Sequence, residues 1–309
     1  MQSISDPFKS VDFSDVPAIR HYSARDGEPL AYRLYVPIAV PNQGSVVLIH
    51  GSSSRSDRIH PLSKAFAQRG YTAYALDIRG HGESGRKGQI AYIGQLEDDL
   101  EDFMNSVKPA GFKTLVGFSS GGGFALRFAG SRLREMFDQY LLLSPFIHQN
   151  APTYRPRSGG WVATGVPRFI GLLILNRIGI TWFNHLPVNT FALNAEARKF
   201  LTPSYSYALA QNFRPHNDYE KDIHGAKKPM QVLVGKEDEV FYADRFASVF
   251  KEAGRSIPVT ILPGIGHMDL VLNSVAVTAV VSAADNLNRP NLTQRTDAPA
   301  VRTEGRGVN

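Results

Sequence analysis

The sequence predicts an α/β fold: a mostly parallel, twisted sheet with helices on both faces and one inserted subdomain. Three observations carry this. First, six short runs, SVVLIH (45–50), YTAYALD (71–77), TLVGF (114–118), YLLLSP (140–145), MQVLVG (230–235) and VTILPG (259–264), are apolar on both faces. Strands of a parallel sheet read this way when helices cover both sides. Second, helical spacing lies between them, in Leu62, Ala65 and Phe66 and in Leu96, Leu100, Phe103 and Val107. Third, the alternation breaks once, after YLLLSP, for roughly eighty residues, too many for a connection in a compact sheet.

Taken in order, residues 1–19 form an N-terminal extension without a basic start and apolar run, so no secretory signal is read and a cytoplasmic location is expected. AIRHYSARDGEPLAYRLYVP has two extended runs around Asp26-Gly27, the mark of an antiparallel hairpin. The core is expected over 20–146 and 229–285. Glu97, Asp98, Asp99, Glu101 and Asp102 interleave with a core stripe and read as a solvated helix face rather than a metal cluster. The insertion, 147–228, carries ten Lys and Arg against four acids, an excess equal to the net charge of +6. These positives are scattered among Trp, Phe, Leu and Pro with no nucleic-acid motif, so a nucleic-acid partner is not expected. From Asn286 the chain turns polar without apolar periodicity, and 286–309 is expected to be a disordered tail.

Composition closes off other classes. The chain has 309 residues, 43% hydrophobic and 20% charged, enough for one large core with an insertion. It has no cysteine, hence no disulfide framework and no thiolate metal site. GLLILNRIGI and the segment from Leu270 to Ala284 are too short or too interrupted to span a bilayer of about 30 Å.

The chemistry concentrates in GFSSGGG (117–123), where strand TLVGF runs into two serines and a small-residue helix runs out. A G-x-S-x-G elbow holds its serine on a strained turn, with small residues two before and two after so that strand and helix can approach. For Ser119 those positions are Gly117 and Gly121; for Ser120 they would be Phe118 and Gly122. Phe118 excludes Ser120 from the apex, so Ser119 is the expected nucleophile and Ser120 contributes its backbone N–H. HGSSS (50–54) follows the first parallel strand, where Ser52 can supply a second N–H to an oxyanion. After the late strands, VLVGKEDEV presents Asp238 and LPGIGHMDL presents His267. An imidazole titrating near 6.5 can take the serine proton and return it to a leaving group, and a carboxylate fixes its tautomer. Glu237, Glu239 and Asp77 compete with Asp238 for the acid role. His50 and His81, each before a glycine in a loop motif, are expected to shape loops.

HGSSS, DIRGHGESG (77–85), GFSSGG, GKEDEV and GIGHMD together resemble the α/β-hydrolase superfamily, nearest to the monoacylglycerol lipase, lysophospholipase and serine aminopeptidase group. The resemblance covers about 20–147 and 229–285 and implies an α/β-hydrolase fold. It implies Ser119 as nucleophile, His267 as general base, Asp238 as its orienter and the N–H groups of Ser52 and Ser120 as oxyanion hole. The expected function is hydrolysis of a carboxylic ester with an apolar acyl group through an acyl-enzyme, with no cofactor and no metal. Carbon–carbon bond hydrolysis, acyl transfer and non-catalytic binding of a small molecule are the alternatives on the same fold. The insertion is expected to form a lid whose Trp161, Phe169, Leu172, Leu173, Leu175, Ile178, Trp182 and Phe183 as a set line an apolar pocket. Flanked by Arg168 and Arg177, the same set can touch a membrane surface.

Overall fold

The chain enters the sheet through the hairpin expected at Asp26-Gly27, where Gly27 takes a positive φ of 83° and β1 (Ile19–Ser23) pairs antiparallel with β2 (Pro29–Tyr35). A computed structural model of the protein describes residues 6–37, 43–156 and 160–296. The core then alternates: β3 (Gly44–Ile49), α1 (His60–Gln68), β4 (Tyr71–Leu76), α2 (Gln95–Val107), β5 (Lys113–Phe118), α3 (Ser120–Gly130) and β6 (Gln139–Leu143). There the chain leaves the sheet for β7 (Val162–Thr164), α4 (Val166–Arg177), β8 (Pro187–Phe191), α5 (Ala197–Phe200), β9 (Ser204–Ser206), α6 (Tyr207–Asn212) and α7 (Tyr219–Gly225). It returns with β10 (Met230–Gly235), α8 (Phe246–Glu252), β11 (Val259–Leu262), α9 (Asp269–Leu272) and α10 (Ser274–Thr296).

The eight core strands form one sheet in the order β1-β2-β4-β3-β5-β6-β10-β11, antiparallel at β1, β2 and β4 and parallel from β4 onward. Successive side chains on a strand point to opposite faces, and each face has its own core. Val47, Ile49, Leu115 and Leu142 pack with α2, α3 and α8 through Leu100, Phe124 and Phe250. Val46, Leu48, Val116 and Leu141 pack with α1, α9 and α10 through Phe66, Leu270 and Val280. The six apolar runs therefore become the six parallel strands. Only β11, at the edge, is partly exposed along its length.

Two expectations change. The acids of α2 are not simply solvated: Asp99 pairs with Arg79 at 2.7 Å, Glu97 with Arg127, and Asp98, Glu101 and Asp102 with Arg25 at 3.0, 2.7 and 2.9 Å. They tie the hairpin and α3 to this helix. The polar tail expected to be disordered from Asn286 is instead helical as far as Thr296. Val277, Val280, Val281 and Ala284 bury one stripe of α10, and extending a nucleated helix fixes only one residue per added hydrogen bond, so polar residues can follow on. Residues 297–309, and 1–5 of the N-terminal extension, lie outside the described residues. Within that extension Asp6–Ser10 is a 3₁₀ turn that buries Phe8.

The insertion holds a three-stranded antiparallel sheet, β7-β8-β9, which the sequence reading leaves unassigned. Its strands are three to five residues long, too short to show a period of two. Apolar on nearly every side, α4 buries only Leu172.

Candidate active site

At the end of β5 Ser119 has φ 55° and ψ −118°, and α3 begins at the next residue. A non-glycine residue in such a conformation stores roughly 1–3 kcal/mol and persists only where its surroundings hold it. Here Ser119 N–H donates to Leu143 O at 2.9 Å, and its carbonyl accepts from Gly123 and Phe146, each at 3.0 Å. A Cβ on Gly117 would lie 2.2 Å from Gly121 O, and one on Gly121 would lie 2.4 Å from His50 O. The register argued from the sequence thus has its physical cause: backbone fills the space where side chains at these two positions would go.

His267 follows β11 and is buried under Phe118, Phe241 and Trp161, with ring centroids 4.9, 5.3 and 6.1 Å away. Its Nε2 lies 3.1 Å from Ser119 Oγ and its Nδ1 lies 2.9 Å from Asp238 Oδ2. Asp238, also buried, accepts N–H bonds from Val240 and Phe241 on Oδ1, both at 2.8 Å, and the Ser144 hydroxyl on Oδ2 at 2.7 Å. Burial works against the charged carboxylate, but His267 and these donors outweigh it and hold Asp238 below its ordinary pKa. The competing acids are occupied elsewhere. Asp77 accepts Ser56 and Glu83 N–H at 2.6 and 2.9 Å, Glu237 accepts Gly264 N–H at 3.0 Å, and Glu239 accepts the backbone N–H of His267 at 2.9 Å.

Ser52 and Ser120 meet through their hydroxyls at 2.5 Å, which brings the loop after β3 against the first turn of α3. The Ser120 N–H, at the start of that helix, has no carbonyl one turn earlier to bond. Next to Ser52, Ser53 takes φ 63° and is fully buried. Its N–H donates to Tyr205 Oη at 2.6 Å, its hydroxyl donates to Thr202 O at 2.6 Å, and its carbonyl accepts from Thr202 N–H at 3.0 Å. Tyr205 Oη in turn donates to His81 Nε2 at 2.6 Å. Burial drives the pKa of His50 and His81 down, and both rings serve as neutral loop struts: His50 Nδ1–H donates to Gly51 O at 2.8 Å. Ser53 lies within HGSSS without a role of its own in that motif, and Ser144 and Tyr205 carry no motif, since only the fold brings their partners to these loops.

Ser119, Ser52, Ser120 and His267 open onto a cavity of about 510 Å³ with a largely apolar wall. Of the eight insertion residues expected to line it, Trp161, Phe169 and Leu173 do. Leu172 packs into the core instead, half-buried Leu175 packs against it, and Ile178, Trp182 and Phe183 face outward, Trp182 with 85% of its surface exposed. One turn of helix separates the two sets: α4 turns its Phe169 and Leu173 side to the cavity and the residues beyond Arg177 run over the surface. Phe8 of the N-terminal extension also reaches the wall, as does Arg214. Among the described residues there is no group of three or more His, Asp and Glu able to hold a metal ion, and no helix is long and apolar enough to cross a membrane.

Comparison with known proteins bears on the fold and the family. A monoacylglycerol lipase of Mycolicibacterium smegmatis is 31% identical over 128 residues, 40% of this chain and 44% of the lipase. The chain spans less than half the length of the curated relatives it matches. Among solved structures, a soluble variant of monoglyceride lipase from Saccharomyces cerevisiae superposes with a TM-score of 0.62 at 18% identity, covering 92% of this chain and 98% of that one. The monoacylglycerol lipase of Paleococcus ferrophilus does so with 0.62 at 19% identity, covering 84% and 98%. Both share the α/β-hydrolase fold found here. A family model described as "Serine aminopeptidase, S33" matches residues 40–271, from the strand before the HGSSS loop to the helix after His267, and the chain belongs to that family of α/β-hydrolases.

Proposed function

We propose that the protein is a serine hydrolase that cleaves carboxylic esters through an acyl-enzyme. The observation that carries this reading is the line Ser119 Oγ to His267 Nε2 at 3.1 Å and His267 Nδ1 to Asp238 at 2.9 Å, set at a strained elbow and facing an apolar cavity. Ser119 Oγ attacks the acyl carbon as its proton passes to His267 Nε2. The carbonyl oxygen, now negative, lies against the N–H groups of Ser52 and Ser120, which stabilise charge that develops only in the transition state. The imidazolium gives its proton to the departing alkoxide, leaving the acyl group on Ser119. Water then attacks with His267 again as base, and the carboxylic acid leaves as the proton returns to Ser119. Asp238 holds Nδ1–H throughout and stabilises the imidazolium.

The insertion acts as a lid over this cavity. Its outward residues Ile174, Ile178 and Trp182, beside Arg168 and Arg177, give it an apolar face with basic flanks for transient contact with an anionic membrane surface. A peptidase acting on free N-termini would need carboxylates near the cavity to hold the amine. Three of the insertion's four acids are engaged elsewhere, Glu196 with Lys199, Asp218 with Lys221 and Asp222 with His216, and none of the four lines the wall. Ester hydrolysis is therefore favoured over peptide hydrolysis.

The test is labelling by a fluorophosphonate together with a series of p-nitrophenyl esters from acetate to decanoate. Each buried methylene adds up to about 0.8 kcal/mol, near fourfold in kcat/KM, until the cavity is full. Labelling with a rise and plateau in the series supports the reading. An unlabelled Ser119 removes it, and a steady fall from acetate onward confines it to small esters.

A further inference from the structure

Arg214, just beyond α6, is one of two charged groups of the cavity wall that the ester-cleaving line does not use. Only 3% of it is exposed. Its Nη2 donates to Gln211 and, at 2.7 Å, to Asn217, both neutral amides, while Nη1 has no acceptor among the described residues. No carboxylate pairs with it among those residues. Its strongest charged neighbour is another cation, Arg127, which is itself paired with Glu97. Burial lowers the pKa of Arg214 to about 10, with Arg127 adding to the effect, yet the guanidinium remains protonated at neutral pH. Nearby His148 is pushed to about 4 by burial first and by the charge of Arg214 second. The other guanidinium on the wall, Arg58, differs. Asp57 lies 3.6 Å away, and the rings of Phe8, Phe13 and Phe200 lie about it at 5.0–5.1 Å.

A buried cation without an acid beside it is stabilised by whatever anion can reach it, and a guanidinium edge matches the oxygens of a carboxylate or phosphate. We propose that Arg214 anchors an anionic group, a carboxylate or a phosphate, on the ester that Ser119 cleaves, with Nη1 donating its N–H bonds to that group. This rests on the ester-hydrolase reading and narrows it from apolar esters to esters that carry an anion away from the scissile bond.

Two matched pairs test it by kcat/KM at pH 7.5: p-nitrophenyl adipate against its neutral methyl ester, and 1-octanoylglycerol 3-phosphate against 1-octanoylglycerol. One anionic member should exceed its neutral partner by about tenfold or more, as a charge-assisted hydrogen bond provides, and which pair shows it distinguishes carboxylate from phosphate. R214Q should bring that ratio toward one. Ratios at or below one in both pairs, or a ratio unchanged in R214Q, overturn the proposal. Should R214Q fail to fold, R214K, which keeps the charge but loses the fork, should lower the ratio severalfold, and an unchanged ratio overturns it. Should none of the four esters be hydrolysed, the ester reading fails by itself and binding decides. Millimolar adipate or inorganic phosphate should then raise the Tm of the wild-type protein, and no rise with either overturns the role of Arg214.

Discussion

The hydroxyl of Tyr205 stands between the Ser53 N–H and His81 Nε2, 2.6 Å from each, so one residue of the insertion fixes the loop that carries Ser52. Tyr205→Phe leaves a buried donor and a buried acceptor without partners. Each such loss costs about 1–3 kcal/mol, so Tm should fall by several degrees. Because the proposed oxyanion hole takes its Ser52 N–H from this loop, kcat should fall with KM nearly unchanged. Equal kcat in the two proteins would show that the loop holds its place without this hydroxyl.

Ser119→Ala should give a folded protein with no fluorophosphonate labelling and turnover lower by up to roughly a million-fold. Ser120→Ala removes the hydroxyl contact to Ser52 but keeps the backbone N–H, and should be mild. Reversed outcomes would move the apex of the elbow to Ser120.

Gly121→Ala places a methyl 2.4 Å from His50 O and 2.6 Å from Ile49 O, both backbone atoms that cannot swing aside. Strand and helix must separate, at a cost of about 1–3 kcal/mol or more. Urea unfolding should show that loss together with slower labelling. Gly171→Ala, on α4 with nothing within 4 Å, is the control and should be neutral or slightly stabilising. Similar midpoints for the two variants would count against the close approach.

Asp238→Asn should lower kcat by roughly 10⁴-fold, because the amide favours the wrong tautomer of its histidine. Glu237→Gln should change little. Glu239→Gln should also be mild, since the amide oxygen can still accept the His267 N–H, whereas Glu239→Ala removes that acceptor and should lower kcat more. A harmless Asp238→Asn would transfer the acid's role elsewhere.

Stability should depend on pH through the buried histidines. His50, His81 and His148 all have depressed pKa values in the folded protein, in each case first because of burial, His148 at about 4. The unfolded chain takes up protons near 6.5 that the folded one refuses, so stability is complete above that value and declines as pH falls from it toward the folded values. Asp238, also depressed, adds its own loss only below about 3.9. Urea midpoints should hold between pH 8 and 7 and fall by pH 5. A midpoint constant from pH 8 to 5 would mean these rings are hydrated.

Much of the core was legible in the sequence because strand and elbow signals are local. A parallel strand covered on both faces must be apolar at consecutive positions, and only Ser119 has glycines where β5 and α3 would otherwise collide. That reading reached Ser119, Asp238 and His267 as candidates, but not their separations, which depend on how β5, β6, β10 and β11 lie side by side in the sheet. Only tertiary structure decided which face of the insertion turns inward, so Phe169 and Leu173 meet the cavity while Ile178, Trp182 and Phe183 meet solvent. The same holds for Ser53, Tyr205, Ser144 and Arg214. Each is polar and buried, and its role follows from partners 94 to 152 residues away or, for Arg214, from the acid that packing did not place beside it. Hydrophobic patterning records which side of an element is covered. It does not record what covers it, because that information resides in contacts the chain makes only once it is folded.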